Sequence, residues 1–132
     1  MRFLIFGGPG IGDTVIEAAL AKGLKQCFPE AEVDLIMSNA LSSNGILKEL
    51  LECQDYIDHC FNYSKKQLFK TSLLLIKLRH RKYNYGFSCT TPFKTSNVAS
   101  KICTLIGCKS IIKKVGACRE MHPSTMQRVF DF

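Results

Sequence analysis

One arrangement constrains this chain more than any other: short apolar runs alternate with stretches of helical periodicity from the first residues onward. Arg2–Phe6 is apolar and stops at Gly7-Gly8-Pro9-Gly10, as a buried strand entering a tight turn would. Thr14–Phe28 follows with helical spacing, Ile16, Leu20 and Leu24 on one face with Val15 and Ala19 beside it, and Pro29 stops it. Val33–Met37 reads as a second strand, Asn44–Leu51 as a short helix with Leu47, Leu50 and Leu51 on its apolar side, and Tyr56–Phe61 as a third strand. Lys65–Lys82 is the longest helical segment, with Leu68, Leu75 and Leu78 at buried positions and lysines between them. Tyr83–Cys89 is a fourth strand, Ser96–Ile106 a helix ended by Gly107, and Ser110–Val115 a fifth strand. Strands separated by helices in this way imply βαβ units, hence an α/β fold with a Rossmann-like parallel sheet of about five strands and flanking helices.

The chain's 132 residues suffice for one core that hides roughly two-thirds of the unfolded surface. A complete two-domain enzyme, a repeat array and a fibrous protein are excluded. After Val115 the alternation ends: the domain is expected to span residues 1–116, with 117–132 a tail cut off from something larger. Charge divides unevenly, residues 1–50 carrying −2 and residues 51–132 carrying +9. The second part suits an anionic partner or a solvated basic surface. Seven cysteines stand at 27, 53, 60, 89, 103, 108 and 118 with no C-x-x-C spacing. They read as reduced core thiols of a cytoplasmic protein, several of them, Cys60, Cys89 and Cys103, in apolar runs. Phe3-Leu4-Ile5-Phe6 is too short for a signal peptide, and His59, His80 and His122 have no metal-ligand spacing, so no metal is expected.

The loop after the first strand borders the crevice where open parallel sheets bind ligands. It reads Gly7-Gly8-Pro9-Gly10-Ile11-Gly12-Asp13-Thr14. No lysine completes a P-loop, and Gly8, Gly10 and Gly12 give G-x-G-x-G rather than the dinucleotide fingerprint G-x-G-x-x-G. What remains is a glycine-rich turn that delivers Asp13 to a helix N-terminus. Asp13 could be the N-cap. Alternatively Thr14 caps, with Glu17 three residues on completing a capping box, and Asp13 is freed into the crevice as a general base for an incoming hydroxyl.

The order of motifs resembles a known family. A first strand leads to Gly12-Asp13-Thr14, then Phe28-Pro29-Glu30-Ala31-Glu32-Val33-Asp34-Leu35-Ile36, then Tyr56-Ile57-Asp58, then a basic helix ending Arg79–Tyr85. This is similar to the N-terminal half of glycosyltransferase family 9, the heptosyltransferases of lipopolysaccharide core synthesis and their relatives. The resemblance implies the acceptor-side half of a GT-B fold, in which two Rossmann-like domains face a cleft. It implies Asp13 as the base for inverting, metal-independent transfer, with Gly12 and Thr14 beside it at the acceptor. It further implies Lys65, Lys66 and Lys70 as phosphate-holding groups of a phosphorylated or anionic glycan or glycolipid acceptor. Relatives carry a stretch like Asp-x-Gln-Gly-x-x-Lys-Ser after the fourth strand; here Ser88-Cys89-Thr90-Thr91-Pro92-Phe93-Lys94-Thr95 keeps only Lys94 of its acid, glutamine, glycine and lysine.

No cofactor is implied beyond a nucleotide-sugar co-substrate, whose site belongs to the donor domain. The chain alone is therefore expected not to turn over, and a separate donor-domain chain is one implied partner. Another is the inner face of the membrane, touched peripherally from the cytoplasm. Two readings from other classes stand beside this one: a stand-alone nucleotide-binding domain or oxidoreductase, and a non-enzymatic basic module or degenerate remnant. Specific nucleic-acid binding is not expected, since Tyr83 and Tyr85 fall in a strand rather than on a stacking platform.

Overall fold

A computed structural model of the chain describes residues 1–7, 11–38, 54–63, 67–88 and 95–113. Its elements in chain order are β1 (Arg2–Phe6), α1 (Ile11–Cys27), β2 (Glu32–Ser38), β3 (His59–Tyr63), α2 (Leu68–Arg81), β4 (Tyr85–Ser88), α3 (Thr95–Ile106) and β5 (Ser110–Lys113). The five strands form one sheet in the order β3-β2-β1-β4-β5, and every neighbouring pair is parallel. This is the Rossmann-like α/β architecture expected from the alternation. The short helix expected at Asn44–Leu51 and the tail lie outside the described residues.

The central strand explains why the sheet needs helices on both faces. Phe3, Leu4, Ile5 and Phe6 are all buried, so β1 has no solvent side. Phe3 and Ile5 join Val33, Leu35 and Met37 in a cluster closed by Ala21 of α1. Leu4 and Phe6 join Ile36 and Phe61 on the other face, against Leu78 of α2 and Ala99, Ile102, Cys103 and Ile106 of α3. The pleat, with its period of two, thus separates two cores with α1 on one side and α2 and α3 on the other. On α1, Ile16 is buried and Leu20 and Leu24 are half-buried as their spacing predicts, whereas Val15 is exposed.

The ends of the elements follow local chemistry. Helix α1 stops at Cys27, with Phe28 N–H still donating to Leu24 O, because the residue before Pro29 disfavours the helical conformation. Helix α3 ends on Gly107 at φ 72, and Cys108 N–H donates back to Cys103 O, a Schellman closure that favours glycine. Strand β3 begins three residues later than its apolar content predicts. Asp58 takes the Val33 amide on its carboxylate (2.6 Å) while its own N–H donates to Val33 O, so side-chain capping fixes 54–58 as a turn and pairing starts at His59 opposite Asp34. Ile57 still reaches the α1-side core from that turn.

Candidate functional site

Strand order reverses between β1 and β4, since β2 and β3 lie on one side of β1 and β4 and β5 on the other. In an open parallel sheet this is where a crevice forms beyond the carboxyl ends of the strands. Phe6 and Ser88 face one another in register at that end. The next residue, Gly7, is held to β2 by its N–H donating to Ile36 O at 2.7 Å. A Cβ placed on Gly7 would lie 2.9 Å from that same oxygen and 3.0 Å from Glu17 Oε2. Glycine is required here by close approach of β2 and α1.

Helix α1 starts at Ile11, three residues earlier than its apolar periodicity predicts. Gly12, Asp13 and Thr14 therefore form part of its first turn, and neither Asp13 nor Thr14 stands in front of the helix as a cap. Thr14 lies inside the helix and so does not stand at its start as the expected capping box requires, and Glu17 is buried with its carboxylate beside Gly7. Asp13 is left at the amino-terminal end of a helix of 17 residues, where the dipole favours a carboxylate. It sits one turn before Glu17, at the carboxyl end of the central strand.

Two groups here escaped the sequence reading. Glu17 carried a visible signal, an acid four residues after Asp13, but its pairing with a capping threonine was the simpler local account. Ser88 is buried at the end of β4, and its hydroxyl has no hydrogen-bond partner among the described residues. Buried hydroxyls are rarely left so. Among the expected phosphate-holding lysines, Lys70 is exposed in the first turn of α2. It stands at the same end of the sheet as Asp13 but in the layer on the opposite face. Lys65, Lys66 and Lys94 lie outside the described residues.

The amino end of the sheet is chemically denser. Asp34 is fully buried in β2; Tyr83 donates its hydroxyl to Asp34 Oδ2 at 2.5 Å, and Arg81 Nε lies 2.8 Å from the same oxygen. Arg81 Nη2 also reaches Glu32 Oε2 at 2.8 Å, and Arg2 pairs with Glu32 at 3.0 Å. His59 Nδ1 lies 3.1 Å from both Asp34 Oδ1 and Arg81 Nη2. Burial and the bond to Asp34 hold the Tyr83 hydroxyl well above its ordinary pKa. Burial alone would lower Arg81, but Asp34, Tyr83 and Glu32 outweigh it and raise it. Each of these charges has an opposite charge beside it, although Arg81 Nε is not aligned for a hydrogen bond with Asp34, and the cluster ties β1, β2, β3 and the end of α2 together.

A shallow cavity of about 260 Å³ on the outer edge of β3 is lined by Ile57, Asp58, His59, Cys60, Phe61 and Lys77. Its acid is already engaged, because Asp58 pairs with Lys25 at 2.8 Å and accepts from Val33. Burial pushes the Asp58 carboxyl up, and these partners bring it net below the ordinary aspartate value. Among the described residues Cys27, Cys60, Cys103 and Cys108 form no disulfide; Cys103 is buried, Cys60 and Cys108 are half-buried, and Cys27, unlike the expected core thiols, is exposed. Burial pushes the Cys103 thiol up to about 12, so it is inert as a nucleophile. Among the described residues no group of three or more His, Cys, Asp or Glu side chains is placed to hold a metal ion.

No sequence family matches the chain, and no curated protein matches it in sequence. Solved structures do resemble it. Escherichia coli ADP-heptose lipopolysaccharide heptosyltransferase II superimposes with a TM-score of 0.64 at 17% identity, over 86% of this chain and 30% of that one. Escherichia coli heptosyltransferase WaaC, solved with ADP, superimposes with a TM-score of 0.63 at 11% identity, over 98% of this chain and 44% of that one. The chain thus spans less than half the length of either enzyme. What it shares with these heptosyltransferases is the fold, a Rossmann-like α/β domain of the kind from which they are built.

Proposed function

We propose that the chain is the acceptor-side domain of a family 9-like, heptosyltransferase-like glycosyltransferase, equivalent to the N-terminal half of a GT-B enzyme. The observation that carries this reading is the position of Asp13: first turn of α1, at the carboxyl end of the central strand, beside the strand-order switch, in a fold shared with two heptosyltransferases. In this reading Asp13 accepts the proton of an acceptor hydroxyl as that oxygen attacks the anomeric carbon of a nucleotide-sugar in line with the departing diphosphate. Inversion follows from a single displacement, and no metal is required of this domain.

Gly12 and Thr14 flank the base, and Lys65, Lys66, Lys70 and Lys94 supply positive charge for a phosphorylated glycan or glycolipid of the lipopolysaccharide type. Such an acceptor, assembled on the cytoplasmic side of the inner membrane, places the domain there. The donor pocket, with the groups that stabilise the leaving diphosphate, is supplied by residues outside these 132. The 132 residues alone do not turn over. Combining the chain with a separately supplied donor domain, a nucleotide-heptose and a phosphorylated acceptor tests this directly. Transfer that appears only with both halves, and disappears in Asp13→Asn, supports it; transfer undiminished in Asp13→Asn overturns Asp13 as the base.

A further inference from the structure

Helix α2 has two apolar faces, and among the described residues only one of them packs against the core. Leu78 is fully buried and Leu74 and Leu75 pack against the core on the inner side. On the outer side Phe69 is 77% exposed, Leu73 52% and Ile76 55%. These positions are spaced i, i+4 and i+7, so they form one stripe along the helix, continued by exposed His80 at i+11. Scattered surface leucines need no explanation, but a continuous crest with a second hydrophobic side beneath it does. Helical geometry sets exposed Lys70 and Lys77 along one flank of the crest and exposed Arg79 along the other. Lys77 is anchored there, its ammonium 5.3 Å over the Phe61 ring.

The segment that carries this crest holds charge of one sign, and the acid that shares a cavity with Lys77, Asp58, is paired with Lys25. From residue 59 to residue 119 the sequence has 13 lysines and arginines and not one aspartate or glutamate. That segment supplies α2, β4, α3 and β5. The two described helices of that face of the sheet are therefore free of acids, and α3 adds exposed Lys101 and Leu105 to the same layer. The acids of α1, Asp13 and Glu17, belong to the other face.

We propose that the outer face of α2 is a docking surface for an anionic lipid bilayer, on which the helix lies flat with Phe69, Leu73 and Ile76 in the headgroup–acyl boundary and its flanking cations among acidic headgroups. The chemistry selects this occupant. A second copy would bring two acid-free cationic faces together and repel itself. An RNA would use the cations but has nothing for Leu73 and Ile76, which neither stack nor hydrogen-bond. An anionic bilayer matches both properties at once. At 14 residues α2 is about 21 Å long and lies on a membrane, and no described helix is long and apolar enough to cross one. This inference concerns a different surface from Asp13 and does not depend on glycosyl transfer.

The chain contains no tryptophan, so Phe69→Trp makes a single reporter on the crest. With vesicles of phosphatidylglycerol and phosphatidylcholine, its emission should shift to the blue and be quenched by brominated acyl chains. Pure phosphatidylcholine vesicles should bind about tenfold more weakly or not at all, and high salt should weaken binding to the anionic ones. In flotation assays of the otherwise unaltered chain, Leu73→Ser/Ile76→Ser and Lys77→Ser/Arg79→Ser should each lower vesicle partitioning by about tenfold, with unchanged circular dichroism. The vesicles hold no glycan, so the result is independent of acceptor chemistry. Absence of binding to anionic vesicles, binding insensitive to Leu73→Ser/Ile76→Ser, or self-association abolished by that variant would each overturn the proposal.

Discussion

The two ends of the sheet are built on opposite principles. At the amino end the charges are spent: buried Asp34 is met by Tyr83, Arg81 and His59, and Glu32 bridges Arg81 to Arg2. At the carboxyl end the described residues form no comparable charge cluster. The backbone of Asp13 lies in the first turn of α1, the buried Ser88 hydroxyl has no hydrogen-bond partner among the described residues, and Gly7 admits the close approach of β2 and Glu17. A parallel sheet directs all of its strand ends one way, so one rim can be tied down for stability while the other is left for chemistry. Substitutions should therefore cost most where the charges are matched and least where they are available.

The largest effect is expected at Asp34. Asp34→Ala leaves Arg81 and Tyr83 facing a buried gap, and removing one partner of such a pair should cost about 3–5 kcal/mol in urea denaturation. Tyr83→Phe, which removes one donor and keeps the ring in the core, should cost about 1–2 kcal/mol. An Asp34→Ala protein as stable as the parent would show that the amino end is not the structural anchor. Gly7→Ala comes next, at about 1–3 kcal/mol. The added methyl would meet Ile36 O, the oxygen that accepts the Gly7 amide, so β2 must back away and weaken that bond.

Much of this fold was legible because its strands are apolar runs and its helices stop at Pro29 and Gly107. The start of α1 was not. Thr14 and Glu17 satisfy a local capping rule, but the tertiary structure claims Glu17 for the contact with Gly7 and the helix runs back to Ile11. Local rules also missed the amino-end cluster, because its partners are far apart in sequence: Asp34 and Tyr83 are separated by 49 positions. Asp34, flanked by Val33 and Leu35, gave no hint that an arginine and a tyrosine would converge on it. The outer stripe of α2 was hidden differently, since Leu73 and Ile76 look like core residues in a helix whose opposite side is equally apolar. Asp13 was singled out by its place in a motif; spacing alone left its role open between cap and base.

A smaller effect, and one with a pH signature, is expected at the Lys25–Asp58 pair. Asp58 titrates below the ordinary aspartate value of 3.8 in the folded protein, burial being outweighed by Lys25 and the Val33 amide. A depressed folded pKa stabilises above the unfolded value, and that contribution is lost as pH falls through the folded one. Asp58→Asn should therefore cost about 0.5–1.5 kcal/mol at neutral pH, and the gap between variant and parent should narrow below about pH 4. A gap that widened in acid would mean that the carboxylate is not held in its charged form.

The smallest stability effect and the largest functional one should fall on the same residue. Asp13→Asn removes a charge from the first turn of α1, where a favourable dipole interaction is worth about 0.3–1 kcal/mol, so the melting transition should hardly move. Contrast that with Asp34, a carboxylate in the neighbouring strand whose loss should unfold a large fraction of molecules. If Asp13→Asn destabilises as Asp34→Ala does, Asp13 is a structural group and the carboxyl end is no more available than the amino end. If stability is kept while transfer in the reconstituted two-domain assay falls by about a hundredfold or more, the charge was held for chemistry. Stability and transfer measured on this one variant thus separate a residue that holds the fold from one that the fold holds in place.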